Sequence, residues 1–251
     1  MTQLDAVIRH LDDYLRVREI ADAPEALNGL QLGNAGEVTR LGAAVDLCEA
    51  TVRMAADAGA DLLLVHHGLF WGGLRPITGP VYARVARLLS NNIALYSVHL
   101  PLDRHPDVGN NSVLARQLGL RVCGEFGEYH GQPIGVWGEL DLDRDALGRK
   151  LAGMLGAAPR LLPFGAVRVQ RIGIVTGAGG SLIGQAAAAG LDTYITGEGA
   201  HHAFFDAEEL GLNVYFAGHY ATETVGVKAL AEHVSARFGL PWTFLDHPTG
   251  L

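Results

Sequence analysis

The stretch Asp61–Gly73, DLLLVHHGLFWGG, carries an apolar run straight into two adjacent histidines and a glycine. A strand buried on both faces has no use for paired imidazoles at its end, so the pair points to a metal ligand set. Three other stretches place polar groups where an apolar segment stops: HLPLD (His99, Asp103), TGEGAHH (Glu198, His201, His202) and GHYATE (His219, Glu223). In open α/β sheets, ligands bind beyond the carboxyl ends of the strands. Neighbouring side chains of a regular strand face opposite ways, so His66 and His67 are expected just past the strand end, where Gly68 permits a turn. His219 and Glu223 are four apart and project to one side if a helix starts near Ala221 or Thr222. Three imidazoles with two carboxylates form a plausible set for two transition-metal ions and are too nitrogen-rich for calcium or a purely magnesium site.

Each signal is weak alone. An isolated strand-end histidine is more often structural, Asp103 alone is more often a turn former, and Glu223 alone is more often solvated on a helix face. Their joint occurrence favours metal. His99 is open to three roles as ligand, orienter or acid/base, with a core role equally open. Glu198 and His202 reach toward a cleft on one reading and are plain surface on the other. His105 and His130 are assigned no chemistry. The glycine loop TGAGGS (Thr176–Ser181, with Gly177–Gly180) looks like a phosphate cradle, but Leu182 stands where GxGxxG needs its third glycine and the Walker lysine is missing; a structural turn is the better reading. GxSxG does not occur. Phe70, Trp71 and Tyr220 border the histidines, where shielding of a metal pocket or core packing is favoured over stacking on a base.

The elements that position these residues alternate. A helix is expected over residues 3–18, from Leu4, Val7, Ile8, Leu11 and Leu15 at helical spacing. Strand, helix, strand follow through VTRLGAAVD, EATVRMAADAG and ADLLLVHH, and the pattern restarts from about Gly124. Such alternation indicates an α/β fold with a largely parallel sheet. Arg40, Gly42, Gly59 and Asp61 recur as Arg171, Gly173, Gly190 and Asp192 at a constant offset of 131 residues, which sets His66 and His67 opposite Gly197 and Glu198. The expectation is two α/β/α-type subdomains of related strand–helix–strand topology facing each other across a metal-containing cleft. Residues 1–124 form the first, joined by a return of about 212–251 that contributes ligands, and residues 125–211 form the second.

Composition narrows the function classes. With 251 residues, 49% hydrophobic and 18% charged, the chain is globular and can bury a sizeable core. A net charge of −8 argues against non-specific nucleic-acid binding. Cys48 and Cys123 form no CxxC and are expected to be buried small hydrophobes in a reducing compartment. The N-terminal stretch is not a signal peptide and no window reaches a membrane span, so a soluble, cytoplasmic protein is expected.

The motifs NGLQ (Asn28–Gln31), VHHGLFW, LYSVHLPLD followed by HP, GNN and LGL, ITGE, and GHYATE followed by spaced G, AL and E resemble the NGG-interacting-factor-three-like proteins, also catalogued as GTP cyclohydrolase one type two homologues. The resemblance covers nearly the whole chain and is weakest from Glu125 to Val169. It implies a dinuclear site with five ligands: His67 and Asp103 on one ion, His66 and His219 on the other, and Glu223 bridging both. The ions would be divalent zinc, iron or manganese. It also implies a toroidal homohexamer, a trimer of dimers with the metal pairs facing an inner cavity. The function expected is a metal-dependent hydrolase, GTP cyclohydrolase-like, acting on a small molecule of nucleotide type, with His99 or Glu198 as proton carrier and Arg75 and Arg104 as the nearest candidates to hold a triphosphate. The alternatives are a metal-delivering chaperone or insertase, or a ring-shaped regulatory protein that binds nucleic acid.

Overall fold

A computed structural model describes residues 2–251 and divides the chain into two compact units. The first runs up to Val108 and takes in Gly226–His247; the second is Gly109–Val225 with Pro248–Leu251. The sequence suggested junctions near 124 and 211. The first junction falls earlier because the helix Asn110–Leu118 packs on strands of the second unit. The later one falls within the helix His219–Phe238, whose first residues belong to the second unit.

In the first unit a five-stranded sheet runs Trp242–Phe244, Leu41–Asp46, Leu62–His67, Ala94–Ser97 and Gly29–Leu32. The first four strands are parallel and only Gly29–Leu32 is antiparallel. Every residue of Leu62–His67 is buried, as expected of a central parallel strand covered on both faces. Leu63, Val65 and Leu95 pack with Val52, Ala55 and Leu88 on one side. The opening helix is shorter than its periodicity suggested, Leu4–Tyr14, because Leu15 caps it and Arg16 turns to a φ of 54°. The helix Glu49–Asp57 starts at a capping box in which Thr51 Oγ accepts the Cys48 N–H at 3.0 Å.

The second unit holds a six-stranded mixed sheet in the order Arg121–Tyr129, Gln132–Asp143, Arg168–Val175, Thr193–Thr196, Asn213–Phe216 and Arg160–Pro163. Its three central-to-distal strands from Arg168 to Phe216 are parallel, whereas Arg121–Tyr129 and Gln132–Asp143 form an antiparallel hairpin. Arg121–Tyr129 had no clear pattern because most of its side chains are exposed. The fold class is mixed α/β in both units.

The repeat is visible as identical backbone chemistry. The Asp61 carboxylate accepts the N–H groups of Thr39 and Arg40, and the Asp192 carboxylate those of Gln170 and Arg171. Each aspartate also donates its own N–H to the paired arginine carbonyl, Asp61 to Arg40 at 3.1 Å and Asp192 to Arg171 at 3.0 Å. A single side chain thus ties the start of one strand to the next in both halves. The two cysteines depart from expectation: Cys48 is half-buried at its helix cap and Cys123 is exposed on the hairpin, both as free thiols. No helix among the described residues is long and apolar enough to cross a membrane.

Asn111 is 1% exposed, donates to Ile134 O at 2.8 Å and accepts the Thr176 N–H at 2.8 Å. Asn111→Ala leaves that buried carbonyl and N–H without this partner, so a loss of about 1–3 kcal/mol is expected. A urea midpoint unchanged from the parent would contradict this.

Candidate metal centre

Both units gather their polar residues at the carboxyl edge of the parallel strands. In the first, the strand Leu62–His67 runs through both histidines, so they are its last two residues instead of lying past its end. A Cβ on Gly68 would collide with Gln31 Oε1 and Ser97, which excludes any larger residue there. His66 is fully buried and its Nδ1 lies 2.9 Å from Val98 O. A carbonyl only accepts, so Nδ1 carries a proton and Nε2 is the nitrogen turned toward Asp103. His67 meets the Asp46 carboxylate through Nδ1 at 2.8 Å, and the two residues are register partners on adjacent strands. His99 meets Asp22 through Nδ1 at 2.9 Å.

One ring nitrogen from each of His66, His67 and His99 lies within 4.8 Å of the others. Asp103, 7% exposed, ends the one-turn helix Leu100–Asp103 and brings its Oδ2 to 3.6 Å from His66 Nε2. Trp71 lies over His67 and His99, with centroid separations of 4.7 Å and 4.4 Å. The indole therefore shelters two of the imidazoles, as the shielding alternative anticipated.

In the second unit the helix starts at His219, two or three residues before the sequence suggested, and its first turn brings His219 Nε2 within 3.2 Å of Glu223 Oε1. Glu223 is 2% exposed. Glu198 Oε1 accepts from His219 Nδ1 at 2.9 Å, so here it orients the imidazole. Burial opposes a charge on His219, but the carboxylates of Glu223 and Glu198 outweigh it and raise its pKa to about 9.

Gly177, at φ 68°, passes so close to Glu223 that a Cβ would overlap Oε1, and its N–H donates to Thr222 Oγ at 3.1 Å. Gly179 N–H meets Thr196 Oγ and Gly180 N–H meets Glu198 O. The glycine loop thus spends these amides on the neighbouring strand end and helix, and sets a wall behind Glu223.

The remaining sequence candidates separate cleanly. His201 and His202 are exposed ahead of the helix Ala203–Leu210, and His130 is exposed at the hairpin turn with φ 50°. His105 is structural, donating from Nε2 to Tyr14 O and accepting the Asp107 N–H at Nδ1. Tyr220 is buried, with its backbone N–H on Leu251 O. Arg75 is exposed and folds back on Gly72 O at 3.4 Å. Sequence reasoning missed Asp46 and Asp22. Asp46 was recoverable as the polar end of the apolar strand preceding the histidines; Asp22 sits in a loop without pattern.

The whole pattern can now be set beside known proteins. The family described as Duf34/NIF3 (NGG1p interacting factor 3) matches residues 2–249. The chain belongs to the NIF3 family. A NIF3-family relative from Deinococcus radiodurans, named GTP cyclohydrolase 1 type 2 homolog, is 45% identical and covers 98% of this chain and 94% of its own length. The solved structure of TTHA1606 from Thermus thermophilus is 43% identical with a TM-score of 0.91, covering 100% of both chains. A structure described as protein ybgI is 37% identical with a TM-score of 0.93, again over 100% of both chains.

The donor set fits transition metal. Imidazoles anchored at Nδ1 turn Nε2 to the site, where an ion would take the place of the proton that His219 Nε2 shares with Glu223, and buried carboxylates supply the anionic charge. In the metal-free protein, His219 is raised from 6.5 to about 9. Its ion pairs therefore contribute stability that is full below 6.5 and lost as pH rises through 9. Unfolding midpoints of the metal-free protein should fall across that window, and His219→Ala should flatten the fall. An identical pH dependence in the variant would contradict the assignment.

Proposed function

We propose that the protein is a dinuclear-metal-dependent hydrolase that uses His66, His67, Asp103, His219 and Glu223 as ligands. The observation that carries this reading is the common anchoring of His66, His67 and His219 at Nδ1, by Val98 O, Asp46 and Glu198. Histidines used only for packing need no such shared orientation. On the family's ligand pattern, His67 and Asp103 serve one ion, His66 and His219 the other, and Glu223 both. A divalent pair, zinc, iron or manganese, supplies a nucleophilic water at neutral pH and polarises the bond under attack.

The chain's own groups divide the remaining work. Asp46 and Glu198 hold His67 and His219 in the tautomer that leaves Nε2 toward the site. Asp103 and Glu223, both nearly buried, offset the positive charge without help from bulk water. His99 is the proton carrier, through the Nε2 that its Asp22 contact leaves open. Trp71 excludes water over His67 and His99 and offers a flat apolar face to a planar substrate. The relatives' name makes GTP the first substrate to test. Assembly is proposed as a homohexamer, a trimer of dimers.

Protein purified without added metal should contain near two equivalents of divalent metal and open GTP to a formylated or pterin-like product. The double variant His66→Ala, Glu223→Ala should lose both ions while keeping its circular dichroism. Unchanged stoichiometry in that variant would remove the ligand assignment, and two equivalents without turnover would remove GTP. For the assembly, light scattering should give six chains, and a monomer mass would exclude the ring.

A further inference from the structure

The loop Asp22–Gln31 contains the motif NGLQ, which the ligand set leaves unexplained, and it is bonded directly to the strand-end loops that carry the site. Asp22 receives four N–H donors. Oδ1 accepts from Ala23 N at 2.7 Å and His99 Nδ1 at 2.9 Å; Oδ2 accepts from Asn28 Nδ2 at 2.8 Å and Leu100 N at 2.9 Å. Two backbone amides and a side-chain amide can only donate through those atoms, which leaves the contact with His99 Nδ1 as the one that the ionisation of Asp22 decides; an ionised carboxylate only accepts. Asn28 closes the unit by accepting the His99 backbone N–H at 2.7 Å. Gln31 extends it, accepting the Leu69 N–H at 2.7 Å and so fixing the segment that leads to Trp71.

We infer that Asp22 is a positioning residue that fixes His99 in the Nδ1–H form, with the Nε2 lone pair presented to the space shared with His66 and His67. An ionised carboxylate has no proton to give, so it takes only an N–H from the imidazole. His99 Nε2 thus waits as an acceptor, and the first proton of a reaction cycle moves onto it from the attacking water. The leaving nitrogen receives that same proton afterwards, which returns His99 to its starting form and balances the hydrolysis. Asn28 and Gln31 make this arrangement independent of the ligands, since they hold the loop by its backbone. Burial opposes charge on Asp22, yet His99, Asn28 and the Leu100 amide hold its pKa below the usual carboxylate value, in agreement with the hydrogen-bond count.

The proton path rests on the hydrolase reading; the tautomer does not. The test is long-range proton–nitrogen correlation spectroscopy on full-length protein labelled at histidine nitrogen, metal-free and again with zinc added. Wild-type His99 should show a protonated Nδ1 and an unprotonated Nε2 as its sole form. Asp22→Asn should lose that exclusivity, with Nε2–H signal appearing, while the His66 signals stay in place. Asp22→Ser is read the same way should the amide variant not fold. A wild-type Nε2–H form, or an unaltered spectrum in the variants, would overturn the inference. Absence of turnover with the spectrum as stated would remove the hydrolase reading and leave the role of Asp22 standing.

Discussion

The geometry of the candidate site depends on one constraint: an imidazole keeps one ring orientation and one tautomer when its other nitrogen is tied down. His66 uses a backbone carbonyl for this and His67, His99 and His219 use carboxylates. The choice of acceptor has consequences. A carbonyl accepts the His66 Nδ1–H without bringing a further charge beside a ring that is fully buried. Carboxylates make their histidines stronger donors to a cation and spread its charge outward. In each unit the sheet brings acceptors and rings to its own edge at the spacing of neighbouring strands.

The two halves share one chemistry at their strand starts. Asp61 and Asp192 clamp equivalent strand starts, and the strands that follow end on His66–His67 in one unit and Gly197–Glu198 in the other. The candidate ligands His219 and Glu223 lie outside the repeat, on the helix His219–Phe238, and a Cβ on Gly197 would lie 2.7 Å from the His219 Cα.

The candidate site was legible because its residues stand at abrupt polarity changes: DLLLVHHG and HLPLD end apolar runs on groups that apolar packing cannot use. The alternation of elements was legible for the same reason, since the core strand Leu62–His67 is continuous in apolar character up to the histidines. The exposed strand Arg121–Tyr129 was not, because neither face is consistently buried. Asp22 and Asp46 escaped notice because hydrogen bonding across distant segments leaves no local period. Cys123 misled because a small apolar side chain is usually inside, whereas here it lies on an open hairpin. The role of Glu198 shifted from proton carrier toward orienter once its contact with His219 was visible, a distinction that only the ring nitrogen it meets can make.

The most direct test of the account is a crystal structure of zinc-loaded protein with anomalous data collected at the zinc edge. Two anomalous peaks per chain, ligated through Nε2 of His66, His67 and His219 with their Nδ1 contacts intact, are the predicted result. A site ligated through Nδ1, or an absence of peaks among these residues, would contradict it.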